Sequence, residues 1–290
     1  MEVGKICVYG AGLMGHGIAQ VVAAAGISVF LRDREQGFLD KAVANIQASL
    51  NKQVAKGKIP EAEATAILGR ITPTQSDQEA LEAADFVIEA VYEDLEVKRQ
   101  LFSMMDRLAP AQAILASNTS QFSITAIAAA TRRPDKVVGM HWFLPPVVMR
   151  LIEIVRGEDT SEPTVAAVRE LAGRFGKETV VCKDRQGFIT TRALVALAVE
   201  CFRMLEEGVA SKEDIDKAIR LGLNHPMGPL ELSDFSGLEL HVAAADALSR
   251  TYGERFLPTQ TVRNLVRAGH YGRKTGRGVY DYQPRGTEKK

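Results

Sequence analysis

Between Lys5 and Asp33 the chain alternates strand, glycine turn, helix and strand, and this alternation limits its possible folds more than any other feature. Lys5-Ile6-Cys7-Val8-Tyr9 is a short apolar run closed by Gly10 and reads as a buried strand. Met14 to Ala25 is a small-residue, helix-favouring stretch ended by Gly26. Ser28-Val29-Phe30-Leu31 reads as a second strand, stopped by Arg32-Asp33-Arg34. A β-α-β unit this short builds a parallel sheet.

The turn inside it, Gly10-Ala11-Gly12-Leu13-Met14-Gly15, matches G-x-G-x-x-G. Alone that pattern is weak, but here it follows a strand, opens a helix and precedes an acidic residue at the end of the second strand. Gly10 allows the tight turn, Gly12 admits a pyrophosphate, and Gly15 lets helix and strand approach. The helix N-terminus offers N–H groups and partial positive charge to phosphates. Asp33 accepts from a ribose diol and repels a 2′-phosphate, which favours NAD over NADP. Arg32 and Arg34 flank it and partly offset that repulsion. The expected cofactor is NAD, met by Gly10, Gly12, Leu13, Met14, Gly15 and Asp33. His16, just inside the helix, reads as a bystander.

A long helical segment from about Gln36 to Lys56 follows, with Phe38, Ala42, Ile46 and Leu50 as its apolar stripe. Strands then recur at 85–89, 113–116, 136–140, 151–155 and 179–182. Helices are expected around 94–108 and 161–175. The step from 141 to 150, with Pro145-Pro146, is too short for a helical crossover and predicts an antiparallel edge. Beyond Arg185 strand signal gives way to Ala/Leu/Glu-rich helical periodicity at 188–207, 211–221 and 237–252, with Gly-Pro turns between Pro226 and Pro229. The expected organisation is an α/β dinucleotide-binding domain over 1–184 followed by an all-α C-terminal domain over 185–290.

Lys plus Arg and Asp plus Glu number 36 each, so no bulk charge points to nucleic acid. No apolar run reaches the roughly 18 residues of a membrane span. The first strand begins without a signal-peptide pattern, and a cytoplasmic chain is expected. Asn118-Thr119-Ser120 spells a glycosylation sequon that such a chain does not use. Cys7, Cys182 and Cys201 form no even framework and no CxxC pair. Cys7 and Cys182 are expected as buried thiols, and no metal is expected.

His141 ends one apolar run, and Glu153 interrupts the next. A lone carboxylate in an apolar strand is costly unless paired. If the two strands are antiparallel neighbours, Glu153 can hold one ring nitrogen of His141 and leave the other to act as a base. Spacing alone leaves a structural pair and a catalytic pair both open.

With these residues in view, the sequence resembles the short-chain L-3-hydroxyacyl-CoA dehydrogenases, including the 3-hydroxybutyryl-CoA dehydrogenases. The resemblance spans nearly the whole chain. It runs through residues 10–20, Ile88 to Glu93 with Lys98, and Ala116 to Ser120. It continues at His141-Trp142-Phe143, Met149 to Val155, Gly187-Phe188-Ile189, Pro226 to Pro229 and Gly272 to Gly278. It implies a Rossmann-like domain, a helical domain that mediates homodimerisation, and a place in fatty acid metabolism. By position, it implies His141 as catalytic base, Glu153 as its partner, and Ser120 on both the reacting oxygen and the cofactor. Glu93, Lys98 and Lys274 would join Asp33 and the glycine turn around NAD. Ser49 and Lys56 would contact CoA. From the residues themselves, Lys52, Lys56 and Lys58 fit a solvated cationic face as well as a phosphate site.

The chain departs from the family pattern where His-x-Phe-Asn-Pro becomes His141-Trp142-Phe143-Leu144-Pro145, and where Gly-Phe-x-x-Asn-Arg becomes Gly187-Phe188-Ile189-Thr190-Thr191-Arg192. Gln121 and Gln186 are lesser departures. Leu144 and Thr191 are thus expected on the substrate side, where lost amides would cost rate. The expected reaction is NAD-linked interconversion of an (S)-3-hydroxyacyl-CoA and its 3-ketoacyl-CoA. A member altered by drift or redesign toward a smaller CoA-free keto or hydroxy substrate, or toward an amine, is an alternative. So is a cofactor-binding, non-catalytic relative.

Overall fold

The computed structural model describes residues 3–282, in two compact units that meet in sequence between Arg185 and Gln186. In the first unit β1 (Lys5–Tyr9) and β2 (Ser28–Arg32) run parallel, joined by α1 (Leu13–Ala24). The long α2 (Gln36–Ala55) and α3 (Glu61–Gly69) lead to β3 (Ile71–Thr74), which pairs with β2. After α4 (Asp77–Leu81), the chain returns to the other side of β1 as β4 (Phe86–Glu89). It then builds outward through α5 (Leu95–Leu108), β5 (Ile114–Ser117), α6 (Ile124–Ala128) and β6 (Val137–Trp142). β7 (Leu151–Arg156), α7 (Glu162–Arg174) and β8 (Glu178–Lys183) complete a sheet ordered β3-β2-β1-β4-β5-β6-β7-β8.

The first six strands are parallel, because helices carry each return. Strand order reverses between β1 and β4, which opens the ligand crevice of a doubly wound sheet at the C-terminal strand ends. β4, β5 and β6 are buried throughout, as strands covered on both faces must be.

Four local expectations need correction. β3 and α3 were not foreseen, because Pro73 reads against a strand; β3 tolerates it as an edge strand paired on one side. The buried stripe of α2 is Leu39, Ala42, Ile46 and Leu50, while Phe38, about 100° of helix rotation away, is exposed. β7 is antiparallel to β6, but it is not the edge: β8 adds alongside it in parallel. Cys182 lies on that edge strand and is therefore half-buried, whereas Cys7 and Cys201 are buried.

The second unit is helical: α8 (Thr190–Glu206), α9 (Lys212–Gly222), α10 (Pro229–Ser236), α11 (Leu238–Tyr252) and α12 (Gln260–Arg267). Its main core gathers Cys201, Phe202, Ile215, Leu230, Leu238 and Val262. The Gly-Pro stretch is not wholly a turn, since Pro229 opens α10 at a position where a missing N–H costs nothing. Asp216 from α9 accepts the Leu230 and Glu231 amides and so satisfies the start of α10.

The closing Gly272-to-Gly278 segment folds against α10. Asp234 accepts the Val279 and Tyr280 amides at 2.9 Å each. A Cβ on Gly272 would stand 2.2 Å from the Asp234 carbonyl oxygen, and one on Gly278 would stand 2.1 Å from its carboxylate. Only glycine fits this approach.

Candidate active site

Elements β2, β1, β4, β5 and β6 deliver the first unit's site residues, in that order, along the C-terminal edge of the sheet. Asp33 follows β2, Gly10 to Gly15 follow β1, Glu93 follows β4, Ser120 follows β5, and His141 lies at the end of β6.

The glycine turn is set by contact. Gly10 has φ +108°, and a Cβ there would meet the Ala90 carbonyl at 2.5 Å. A Cβ on Gly15 would stand 1.7 Å from the Gly10 carbonyl oxygen. Gly12 faces open space and caps α1 without a side chain, so the first amides of the helix are not taken by a capping group. Leu13 is exposed and Met14 half-buried beside it. Asp33 accepts the Ala11 amide at 2.7 Å through Oδ2 and the Arg34 amide at 2.7 Å through Oδ1. A cavity of about 550 Å³ opens here, lined by Gly12, Asp33, Phe38, Val91, Val97 and Leu101 among others.

A turn without side chains, a helix start, a diol-accepting carboxylate and an apolar slot are what the adenosine and pyrophosphate of NAD need. Arg32 also lines this cavity but is already paired, with its Nε 2.5 Å from Asp77 and its guanidinium over the Tyr9 ring at 4.4 Å. That leaves Arg34, largely exposed and beside Glu35. His16 turns back to the Gly12 carbonyl at 2.8 Å.

Behind the turn lies a buried ionic network. Lys98 is 1% exposed, and its ammonium bonds Glu89 at 2.6 Å and Glu93 at 3.1 Å. Burial pulls its pKa down, but the two carboxylates outweigh that and hold it above the ordinary lysine value. Glu89 also accepts the Val91 amide and the Ser117 hydroxyl. Glu93 accepts the Thr119 hydroxyl at 2.5 Å and the Ser120 amide at 3.2 Å. Lys98 therefore meets Glu93 from inside the protein. Glu89 carries a signal like that of Glu153, a carboxylate within an apolar strand, yet sequence reasoning passed over it as part of a motif.

Across the antiparallel β6–β7 pair, His141 stands directly opposite Glu153. Nδ1 of His141 lies 2.7 Å from Oε2 of the fully buried Glu153. A carboxylate oxygen accepts, so Nδ1 is the donor of this bond. The Phe143 ring packs on the imidazole at 4.5 Å, and the Asn118 side chain accepts the Trp142 amide at 3.0 Å. The loop from 143 to 150 is held at both ends. Pro146 packs against Gly17 of α1, where a Cβ would come within 3.0 Å. Lys177 donates to the Pro146 and Met149 carbonyls at 2.6 Å each. Leu144, Val148 and Met149 remain exposed on this loop.

Ser49 is half-buried in the last turns of α2, and the exposed Lys56 closes that helix. The same stretch reaches the loop after His141, for Gln53 and Val147 line one cavity with Lys177. Two other candidates belong to the helical unit. Thr191 sits half-buried in the first turn of α8, just past Phe188 at φ +49°. Lys274 pairs with Glu239 and lies 5.3 Å over the Tyr271 ring. Among the described residues no cluster of His, Cys, Asp and Glu could hold a metal ion, and no helix is long and apolar enough to cross a membrane.

Residues 5–185 match the NAD-binding domain of 3-hydroxyacyl-CoA dehydrogenase, and residues 187–282 match its C-terminal domain. The chain belongs to the 3-hydroxyacyl-CoA dehydrogenase family. It is 42% identical to a probable 3-hydroxybutyryl-CoA dehydrogenase of Bacillus subtilis, over 98% of this chain and 99% of that one. It is also 42% identical to the 3-hydroxybutyryl-CoA dehydrogenase of Clostridioides difficile, over 96% and 99%. Its fold matches the crystal structure of (S)-3-hydroxybutyryl-CoA dehydrogenase PaaH1 from Ralstonia eutropha with a TM-score of 0.94 and 40% identity, covering 98% of this chain and 100% of that one. A member of this family is an NAD-dependent oxidoreductase with a Rossmann-like and a helical domain. Neither the non-catalytic reading nor that of a member altered toward a CoA-free substrate or an amine is favoured.

Proposed function

We propose that this 3-hydroxyacyl-CoA dehydrogenase family member interconverts (S)-3-hydroxyacyl-CoA and 3-ketoacyl-CoA, with His141 as acid–base and Glu153 as its orienting partner. The observation that carries this is the buried 2.7 Å Nδ1–Oε2 bond, set on the same strand-end edge as the glycine turn. Glu153 fixes the tautomer, so Nε2 takes the C3 hydroxyl proton, and the carboxylate stabilises the imidazolium that results. Bound NAD+ supplies the acceptor for the C3 hydride. Ser120 donates to the reacting oxygen and borders the cofactor. Glu93 belongs to the cofactor site with Asp33 and residues Gly10 to Gly15, Lys98 supports Glu93 from the protein interior, and Lys274 is a cofactor residue by the family resemblance alone. Ser49 and Lys56 contact the CoA moiety, and Leu144 and Thr191 face the substrate. The cavity that joins Gln53 to Val147 supports placing the last turns of α2 on the substrate's path.

The protein acts in the cytoplasm, in fatty acid metabolism, as a homodimer joined through residues after about 185. Ile189, Val209, Leu221, Leu223 and Leu240, all exposed apolar side chains of the helical unit, support that assembly.

The test is turnover. NADH consumption with acetoacetyl-CoA should exceed that with any of a panel of CoA-free ketones, with or without ammonium. A CoA-free ketone turned over faster would overturn the acyl-CoA assignment. Leu144→Asn with Thr191→Asn should then raise kcat/KM on acetoacetyl-CoA by about tenfold or more, because each restored amide returns a donor or acceptor.

A further inference from the structure

The ionic network beneath the glycine turn does not balance. Glu89 and Glu93 meet one ammonium, and among the described residues Lys98 is the one cation paired with either. Glu89 accepts from Lys98, the Val91 amide and the Ser117 hydroxyl. Glu93 accepts from Lys98, the Thr119 hydroxyl and the Ser120 amide. Every partner is a donor, so both carboxylates are used in their ionised form. The surplus is one negative charge. Glu89 and Lys98 are sealed from solvent, while the Glu93 side chain is 30% exposed and carries that charge to the surface of the site.

Its place along the sheet decides what it meets. Asp33, which marks the adenosine end, follows β2, on one side of the strand-order reversal between β1 and β4. Glu93 and Ser120 follow β4 and β5 on the other side. A dinucleotide laid across the reversal puts its nicotinamide half there. The oxidised nicotinamide is cationic and the reduced ring neutral, so a fixed anion at low dielectric favours the first.

We infer that Glu89 and Lys98 are positioning residues that hold Glu93 as an uncompensated negative charge under the nicotinamide half, so that the site favours the oxidised over the reduced cofactor. This rests on the cofactor placement proposed above. Glu89, through Lys98, keeps Glu93 from turning to solvent, and Glu93 in turn fixes the Ser120 backbone.

The test is equilibrium binding without substrate at low salt. Dissociation constants for NAD+, NADH and ADP-ribose are measured for the unaltered protein, Glu93→Gln, Glu89→Gln and Glu93→Asp. In both Gln variants NAD+ should weaken relative to NADH by about threefold or more. Glu93→Asp keeps the charge and should leave the NADH-to-NAD+ ratio in place. Glu93 is partly exposed, so Glu93→Gln leaves the buried Glu89–Lys98 pair intact and suffices should Glu89→Gln not fold. An unmoved ratio in the folded Gln variants, or parallel loss of both affinities, would overturn the inference. ADP-ribose lacks the nicotinamide and should bind all folded variants alike. An equal change in all three ligands would instead place Glu93 under the shared ADP-ribose half and sink the placement itself.

Discussion

Asp33 is held for one task by its own hydrogen bonds, since the Ala11 and Arg34 amides fix the carboxylate at the rim of the cavity. A 2′-phosphate would bring like charge against it in a partly desolvated rim, and Arg32 is already paired with Asp77. NADH should therefore bind better than NADPH, and Asp33→Ser should narrow the gap by about tenfold, or about 1.4 kcal/mol. Titration of both cofactors by fluorescence reads this directly; tighter NADPH binding to the unaltered protein contradicts it. His141 sits three strands beyond the glycine turn, so its chemistry separates from cofactor binding. His141→Gln should cut kcat by roughly 10²–10⁴ with NADH affinity unchanged. Glu153→Gln should lower kcat as well, by removing the charge that stabilises the imidazolium. Wild-type turnover in His141→Gln would end the acid–base assignment.

Helix α11 carries a polar group that its packing leaves unserved. His241 is buried against Phe202, its Nε2 has no hydrogen-bond partner, and burial pushes its pKa down to about 4. The unfolded chain takes up that proton near the ordinary histidine value of 6.5, so the folded state loses ground as pH falls from about 6.5 to about 4. Above that window both states are neutral there and the group contributes no pH dependence. The loss amounts to about 3 kcal/mol across it. Thermal melts of His241→Phe should show a flatter decline in Tm over this range than the parent; parallel curves would mean that the imidazole is hydrated in the folded protein. Other elements were legible because a cap or a breaker is local. Asp94 accepts the Val97 amide at the start of α5, and Ser161 accepts the Thr164 amide at the start of α7. The Leu39 stripe and β3 were not legible, because which face of α2 is covered, and that Pro73 lies on an outer edge, are facts about neighbours.

For the whole molecule, the exposed apolar side chains of the helical unit set the expectation. Val209, Leu221, Leu223 and Leu240 are each more than half exposed. Exposed apolar side chains are a cost in water that burial against a second copy removes. Light scattering at micromolar concentration should give about twice the 31.6 kDa of one chain. A monomer mass would remove the dimer and leave that surface without an occupant.

What the amino-acid order determined by itself is what short-range chemistry dictates. Gly10 and Gly15 serve a turn that a side chain would block, Gly12 leaves its open side bare, and Asp33 is marked by its distance along the chain from that turn. The change from strand to helix periodicity near Arg185 is likewise written in the order of residues, and the chain's compact units divide there. Tertiary structure decided what depends on residues far apart in sequence. Glu153 and Glu89 look alike as carboxylates in apolar strands, yet one meets an imidazole across an antiparallel pair while the other meets an ammonium from α5. Lys98, which the family resemblance puts around NAD, lies sealed between two acids. Burial and pairing are set by where strands meet in the sheet, and a strand's own residues carry no record of its neighbour.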